Sequence, residues 1–274
     1  MKPDYKNWVP KKMLYLLAFF AFLFYAITLL LQWLIQPGTT KIILSSLCLL
    51  AAVSLTVICI WMTRMYRAFS YDGNRKLSKA IVEGLARCVE VPKNGSVLDV
   101  GCGSGALTIA VAKMNPTAKV IGVDRWGKEY GSYSKNLCER NALAEEVDNV
   151  VFREGNAVKL DYPDESFDAV TSNYVYHNII GVNRQELLLE TLRLVKRGGV
   201  FAIHDIFSKR KYGDMDSFIN KLKKLGYENS RLVDTTDGLF MTKKEATMYS
   251  LKHSAILIGK NRPFTRLEPF EKPQ

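Results

Sequence analysis

The sequence predicts an α/β protein, a mainly parallel sheet covered by helices on both faces, preceded by a hairpin of two membrane-spanning helices. Three observations carry this. Short apolar runs alternate with segments of helical periodicity from about residue 75 to residue 259. Val97 to Ala110 reads as an apolar strand, glycines at 101, 103 and 105, then the start of an amphipathic helix. Residues 13–35 and 42–63 are uncharged, predominantly apolar stretches.

Each apolar stretch is long enough, at about 1.5 Å per residue, to cross a hydrocarbon core of about 30 Å. The turn between them holds Pro37 and Gly38, so the spans form an antiparallel pair. Lys2, Lys6, Lys11 and Lys12 precede the first span, and Arg64, Arg67, Arg75 and Lys76 follow the second, against a lone Lys41 in the turn. That asymmetry predicts both termini and the globular part on the cytoplasmic side, with Trp33 and Trp61 as interfacial anchors. A cleaved signal peptide is disfavoured by the length of the run and the lack of a small-residue cleavage site, and a buried soluble hairpin by two charge-free stretches. No ionisable acid or base falls inside the spans, which argues for an anchor over a transporter.

After a short basic juncture, Leu77, Ile81, Leu85 and Cys88 recur at helical spacing and predict a helix over about 75–88. Then follow strand 96–100, helix 105–114, strand 119–124, helix 131–143, strands 149–154 and 167–172, helix 184–196, strand 199–205, helix 214–225, and strands near 229–235 and 251–259. The organisation expected is an anchor over 1–67, one α/β domain over 68–262, and a proline-containing flexible tail over 263–274. A net charge of +11 over 274 residues raises the question of nucleic acid. Lys and Arg concentrate instead at the membrane flanks and in Lys209-Arg210-Lys211, Lys221, Lys223, Lys224 and Lys243-Lys244, which suits an anionic leaflet or a solvated basic face. Nucleic acid is therefore not the expected partner. The five cysteines form no C-x-x-C pair, so no disulfide framework and no metal site is expected.

Glycines at 101, 103 and 105 let the chain turn tightly and let a ligand approach the backbone, while the following helix presents its first N–H groups. This is a nucleotide-type cofactor loop. Its spacing also fits the dinucleotide fingerprint through Gly101, Gly103 and Ala106, so spacing alone leaves the cofactor open. Asp99, two positions before the first glycine, would repel a pyrophosphate and attract an ammonium group. The run Asp-Val-Gly-Cys-Gly-Ser-Gly at 99–105 resembles the first motif of class I S-adenosylmethionine (SAM) methyltransferases, whose cofactor has an amino-acid tail and no phosphate.

Further blocks extend that resemblance over about 68–260. Val120-Ile-Gly-Val-Asp124 ends in an acid, as both nucleotide folds require for the ribose hydroxyls. Gly155-Asn-Ala157 with Ser166-Phe-Asp168 is similar to the family's third block, with Asn156 where Asp is usual and Asp161-Tyr-Pro163 in place of Leu-Pro-Phe. Leu192 to Gly199 resembles the turn before the fifth strand, with Arg197 where Pro is usual. The resemblance, nearest the ubiquinone/menaquinone methyltransferase group, implies a Rossmann-like seven-stranded sheet of order 3-2-1-4-5-7-6 with the last strand antiparallel, and SAM as cofactor. It implies Asp99, Gly101, Cys102, Gly103 and Gly105 at the methionine part, Asp124 at the ribose, and Asn156 and Ala157 at the adenine. Cys102 is read as a small filler whose backbone matters, not as a nucleophile.

Ser172 to Asn178 leaves the fourth strand at its carboxyl end, where ligands collect in such sheets. Asn173 is a candidate for cofactor or substrate contact. His177 is the candidate general base, with a hydrogen-bonding role at a helix start as its alternative. His204 and Asp205 end the fifth strand beside the same cleft, Asp205 read as a capping carboxylate. The function expected is transfer of a methyl group from SAM to a small, lipophilic acceptor by a membrane-tethered enzyme. The alternatives are methylation of a protein or nucleic acid, and a non-catalytic SAM-binding scaffold.

Overall fold

The computed structural model describes residues 2–127 and 132–262. They form two compact units, Asn7–Lys79 on the one hand, and residues up to Lys6 with those from Ala80 onward on the other. The tail expected after residue 262 lies outside the described residues, as does residue 131 at the expected start of one helix.

In the first unit, α1 (Lys11–Leu34) and α2 (Thr39–Phe69) pair with each other. Both are long and apolar enough to cross a membrane. The second outruns its apolar stretch by six residues, through Arg64–Phe69, where the sequence suggested a juncture. Met65, Arg67 and Ala68 favour helix and no Gly or Pro intervenes, so the helix continues until Ser70 turns extended. The hydroxyls of Thr28, Thr56 and Thr63 donate to the carbonyls four residues earlier, and Gln32 donates to Ser45 at 2.9 Å, so polar atoms are satisfied without water.

The second unit is built on a seven-stranded sheet of order β3-β2-β1-β4-β5-β7-β6. Its strands are β1 (Ser96–Val100), β2 (Lys119–Asp124), β3 (Val150–Glu154), β4 (Phe167–Asn173), β5 (Val195–Ile206), β6 (Tyr227–Asp234) and β7 (Ser254–Asn261). The first five run parallel, and β7 lies antiparallel between β5 and β6. Order and directions are those the resemblance implied. Helices α3 (Leu77–Ala86), α4 (Ala106–Met114), α5 (Lys135–Ala144), α6 (Arg184–Leu192), α7 (Lys209–Tyr212), α8 (Met215–Lys224) and α9 (Lys243–Met248) complete the order. The core runs from Leu98, Val100 and Val170 on the central strands to Leu187, Leu188 and Leu192 of α6 and Phe218 and Leu222 of α8.

Among the departures from the sequence reading, three bear on local chemistry. The helix expected over 184–196 ends at Leu192, because Leu194 and Val195 are fully buried and Val195 already pairs with Phe167 of β4. Arg193, at the junction, donates to the carbonyls of Leu160 and Tyr162 and to Asp164 and Glu190, closing the loop that precedes β4. Second, α5 begins at Lys135, with the Ser134 hydroxyl accepting from Leu137 N–H as its cap. Third, α9 was not foreseen, although its capping box is written in Thr242 and Glu245.

Candidate cofactor loop and catalytic pair

Where β1 ends, the N–H groups of Gly101 and Cys102 both donate to the Val123 carbonyl of β2, and Gly105 N–H donates back to Cys102. The chain reverses within five residues because Gly101, Gly103 and Gly105 take φ of +74°, +56° and +82°. A Cβ on Gly101 would collide with Val175, which ties the loop to the segment after β4. At Gly103 a Cβ would meet nothing within 4 Å, so the loop is open on that side. Gly105 begins α4 without any side-chain cap.

Asp99 is buried beside this loop, its two carboxylate oxygens accepting from the hydroxyls of Thr108 at 2.6 Å and Thr171 at 3.0 Å. Burial pushes its carboxyl up to about 6, against the pull of those two hydroxyls. Asp124, at the end of β2, accepts from Gly103 N–H at 2.8 Å and Trp126 N–H at 2.9 Å. It does not cap the helix that follows, which Ser134 caps. The Trp126 indole donates to the Gly103 carbonyl at 3.0 Å, adding a flat apolar ring beside the open glycine. Nothing in the sequence pattern marked Trp126.

Asn141 of α5, also unmarked, is buried and donates to the Ser104 carbonyl at 2.9 Å. It also exchanges bonds with the Asp4 backbone, fastening residues 4 and 5 beside the loop, where the Tyr5 hydroxyl donates to Glu145. Cys102 is buried, and burial pushes its thiol well up, which leaves it protonated and inert. Asn156 is exposed, and its side-chain oxygen accepts from Val158 N–H, while Ala157 packs against the core.

On the substrate side, Asn173 ends β4 in register with His204 of β5, and its Oδ1 bonds His204 Nδ1 at 2.8 Å. His204 is fully buried, which pushes it down to about 3, so it stays neutral. Its role is to hold Asn173, while Tyr174 packs on it at 4.5 Å. His177 lies in the short 3-10 turn Tyr176–Asn178, and its Nδ1 bonds Asp205 Oδ1 at 2.5 Å. The same carboxylate accepts from the backbone N–H of His177 and of Ile206. Asp205, read from the sequence as a capping carboxylate, does accept backbone N–H groups there and is also the buried partner of the histidine ring. Burial alone would raise its carboxyl, but His177 and the Ile206 N–H hold it below the usual range. A carboxylate accepts and cannot donate, so Nδ1 carries a proton.

The glycine loop, the buried Asp99, the acid at 124 and the residues at the carboxyl ends of β4 and β5 all lie on one edge of the sheet. That arrangement is the class I methyltransferase fold with its glycine loop. A methyltransferase domain family matches residues 92–255, and the chain belongs to it. The chain is 36% identical over 110 residues to the demethylmenaquinone methyltransferase of Symbiobacterium thermophilum, covering 38% of this chain and 40% of that one. It is 33% identical over 141 residues to the enzyme of the same name from Geobacillus stearothermophilus, covering 50% and 54%. The chain spans about half the length of these curated relatives or less. Geranyl diphosphate methyltransferase in complex with SAM superposes with a TM-score of 0.54 at 15% identity, over 72% of this chain and 90% of that one. The cyclase SpnF gives 0.54 at 16% identity, over 69% and 83%. At such identities the likeness is one of fold.

Proposed function

We propose that the chain transfers a methyl group from SAM to a small, lipophilic acceptor, with His177 as general base, from a domain tethered to a membrane by α1 and α2. The observation that carries this is the hydrogen-bonded pair of His177 and Asp205 on the same sheet edge as the glycine loop. The residues present fit the cofactor. The open face of Gly103 takes a group that a Cβ would displace, Asp124 stands at the ribose position, and Asp99 offers a buried carboxylate to an ammonium group. Gly101, Cys102 and Gly105 shape that cradle, Asn156 and Ala157 take the adenine position that the family resemblance gives them, and Asn173 is held by His204 at the carboxyl end of β4.

When bound, SAM supplies an electrophilic methyl group on a sulfonium. The chain's residues orient the reactants and manage a proton. When the acceptor atom takes that methyl group, its proton would pass to His177 Nε2. Asp205 holds the ring in the tautomer that can accept it and stabilises the charge that results.

The lipophilic acceptor is supported by the names of the relatives and by the loop next to His177, where Ile180 is 89% exposed. The tether is supported by α1 and α2, whose apolar side chains, among them Phe22, Leu29 and Leu50, stay exposed instead of forming a core. Calorimetric titration with SAM, its demethylated product and NAD tests the cofactor, and release of that product on adding a membrane lipid extract tests the acceptor. Binding of NAD without SAM, or no stimulation by any extract, overturns the reading.

A further inference from the structure

Two cations converge on the catalytic pair. Arg184, the first residue of α6, donates from Nη2 to the His177 carbonyl at 3.4 Å, and Lys211 of α7 donates from Nζ to the same oxygen at 3.4 Å. Both bonds are long and the acceptor is neutral. Arg184 Nη1 reaches the Lys211 carbonyl, again at 3.4 Å. Among the described residues neither cation has a carboxylate partner within 4.0 Å. Asp205 is the anion whose charge acts on Lys211, and it is already bonded to His177. Two positive charges here face one carboxylate.

The polar atoms show the same incompleteness. Among the described residues, two buried side-chain donors have no hydrogen-bond partner, Arg184 Nε and the Tyr212 hydroxyl. Both belong to this cluster; the Tyr212 hydroxyl lies beside the Asp205 carboxylate, while Arg184 Nε has no acceptor. Buried donors without partners are rare in native structures and mark places where a ligand or water completes the set. A guanidinium with spare donors, an ammonium and a phenol beside a general base are the groups that recognise a carboxylate or a phosphate.

We propose that Arg184 and Lys211, with Tyr212, hold an anionic group of the acceptor, a carboxylate or a phosphate, beside His177. This rests on the reading of His177 as the residue that meets the acceptor. The acceptor is then amphiphilic, its anionic head in this cluster and its methylated atom within reach of Nε2. It also gives the domain selectivity, because a neutral isostere would leave the two cations unpaired.

The test reads binding and not methyl transfer, so its failure is separate from failure of the enzyme reading. The full chain, in lipid nanodiscs and with its histidines isotopically labelled, is titrated with inorganic phosphate, hexyl phosphate, benzoate and neutral benzamide. The chain has three histidines, and loss of one resonance in His177→Gln assigns the signal. A saturable shift of the His177 signal with hexyl phosphate or benzoate and none with benzamide is expected, and the stronger of the two identifies the anion. Arg184→Gln and Lys211→Gln should each weaken the apparent affinity at least tenfold, with SAM binding measured on the same samples as the check of fold. Arg184→Lys, which keeps charge but not the fork, should fall between. No saturable shift, a shift unchanged in both glutamine variants, or tighter binding of inorganic phosphate than of hexyl phosphate would overturn the proposal.

Discussion

The Nδ1 atom of His177 and the Oδ1 atom of Asp205 stand 2.5 Å apart, joining the turn after β4 to the end of β5. The bond is possible because β4 and β5 pair in register with Asn173 opposite His204, so the next residues of both strands arrive at one place. Asp205 is wholly buried and His177 keeps its side chain 13% exposed. One group is hidden and the other reaches the surface, which suits the proposed roles of orienting the ring and exchanging a proton.

His177→Gln should lower turnover by about 10²–10⁴-fold, the range for a lost general base, with SAM affinity close to unchanged. Asp205→Asn should lower it too, because an amide can donate to Nδ1 and favour the tautomer whose Nε2 already carries a proton. The double variant should be little worse than His177→Gln alone, since the two residues act as one device. Steady-state kinetics with calorimetric SAM binding measure this. Additive losses in the double variant would show that Asp205 acts independently.

Asp99 gives a pH dependence with a definite sign. Its carboxyl, raised to about 6 by burial, is neutral below that value and negative above it. An ammonium group is attracted only by the negative form. SAM affinity should therefore rise by up to about tenfold per pH unit below 6 and level off above it. Asp99→Asn should bind more weakly at pH 8 and show little change between pH 5 and 8. Wild-type affinity that is flat across this range contradicts the assignment.

Gly101 and Gly103 should fail differently on substitution. Gly101→Ala drives a methyl into Val175 at a positive φ, so the folded state loses stability, by about 1–3 kcal/mol from backbone strain plus the clash. Gly103→Ala meets no protein atom and should cost about 1–2 kcal/mol through its φ alone, while its methyl occupies the cradle and weakens SAM by more than tenfold. Thermal unfolding with and without SAM separates the two. Equal losses of SAM binding relative to stability would contradict the open face.

The glycine loop and the acid at 124 were legible because their chemistry is local: strand, glycines and helix start lie within fifteen residues. The sheet order was reachable through family resemblance and not through periodicity. Asp205 was legible as an acid at a strand end but not as the partner of His177, because that contact spans 28 residues and depends on the β4–β5 register. Lys211 was legible only as part of the basic run 209–211, and Arg184 carried no signal, since a charged residue at a helix start is ordinary in any sequence. The end of α6 was misplaced for a related reason: Leu192, Leu194 and Val195 suit helix or strand, and only pairing with Phe167 decides.

The hairpin predicts a topology. In a Cys88→Ser background, a cysteine at Gly38 should react with an impermeant reagent in intact cells, and one at the exposed Lys252 should react only after permeabilisation. The reverse pattern would put the cofactor loop on the side away from cytosolic SAM and contradict the tethered enzyme.

The most direct measurement follows the methyl group itself. Membranes containing the chain are incubated with methyl-labelled SAM and separated into organic-extractable, protein and nucleic-acid fractions, beside membranes containing His177→Gln. The account predicts label in an organic-extractable small molecule, falling by about 10²-fold or more in the variant. Label confined to protein or nucleic acid, or equal label with the variant, would contradict it.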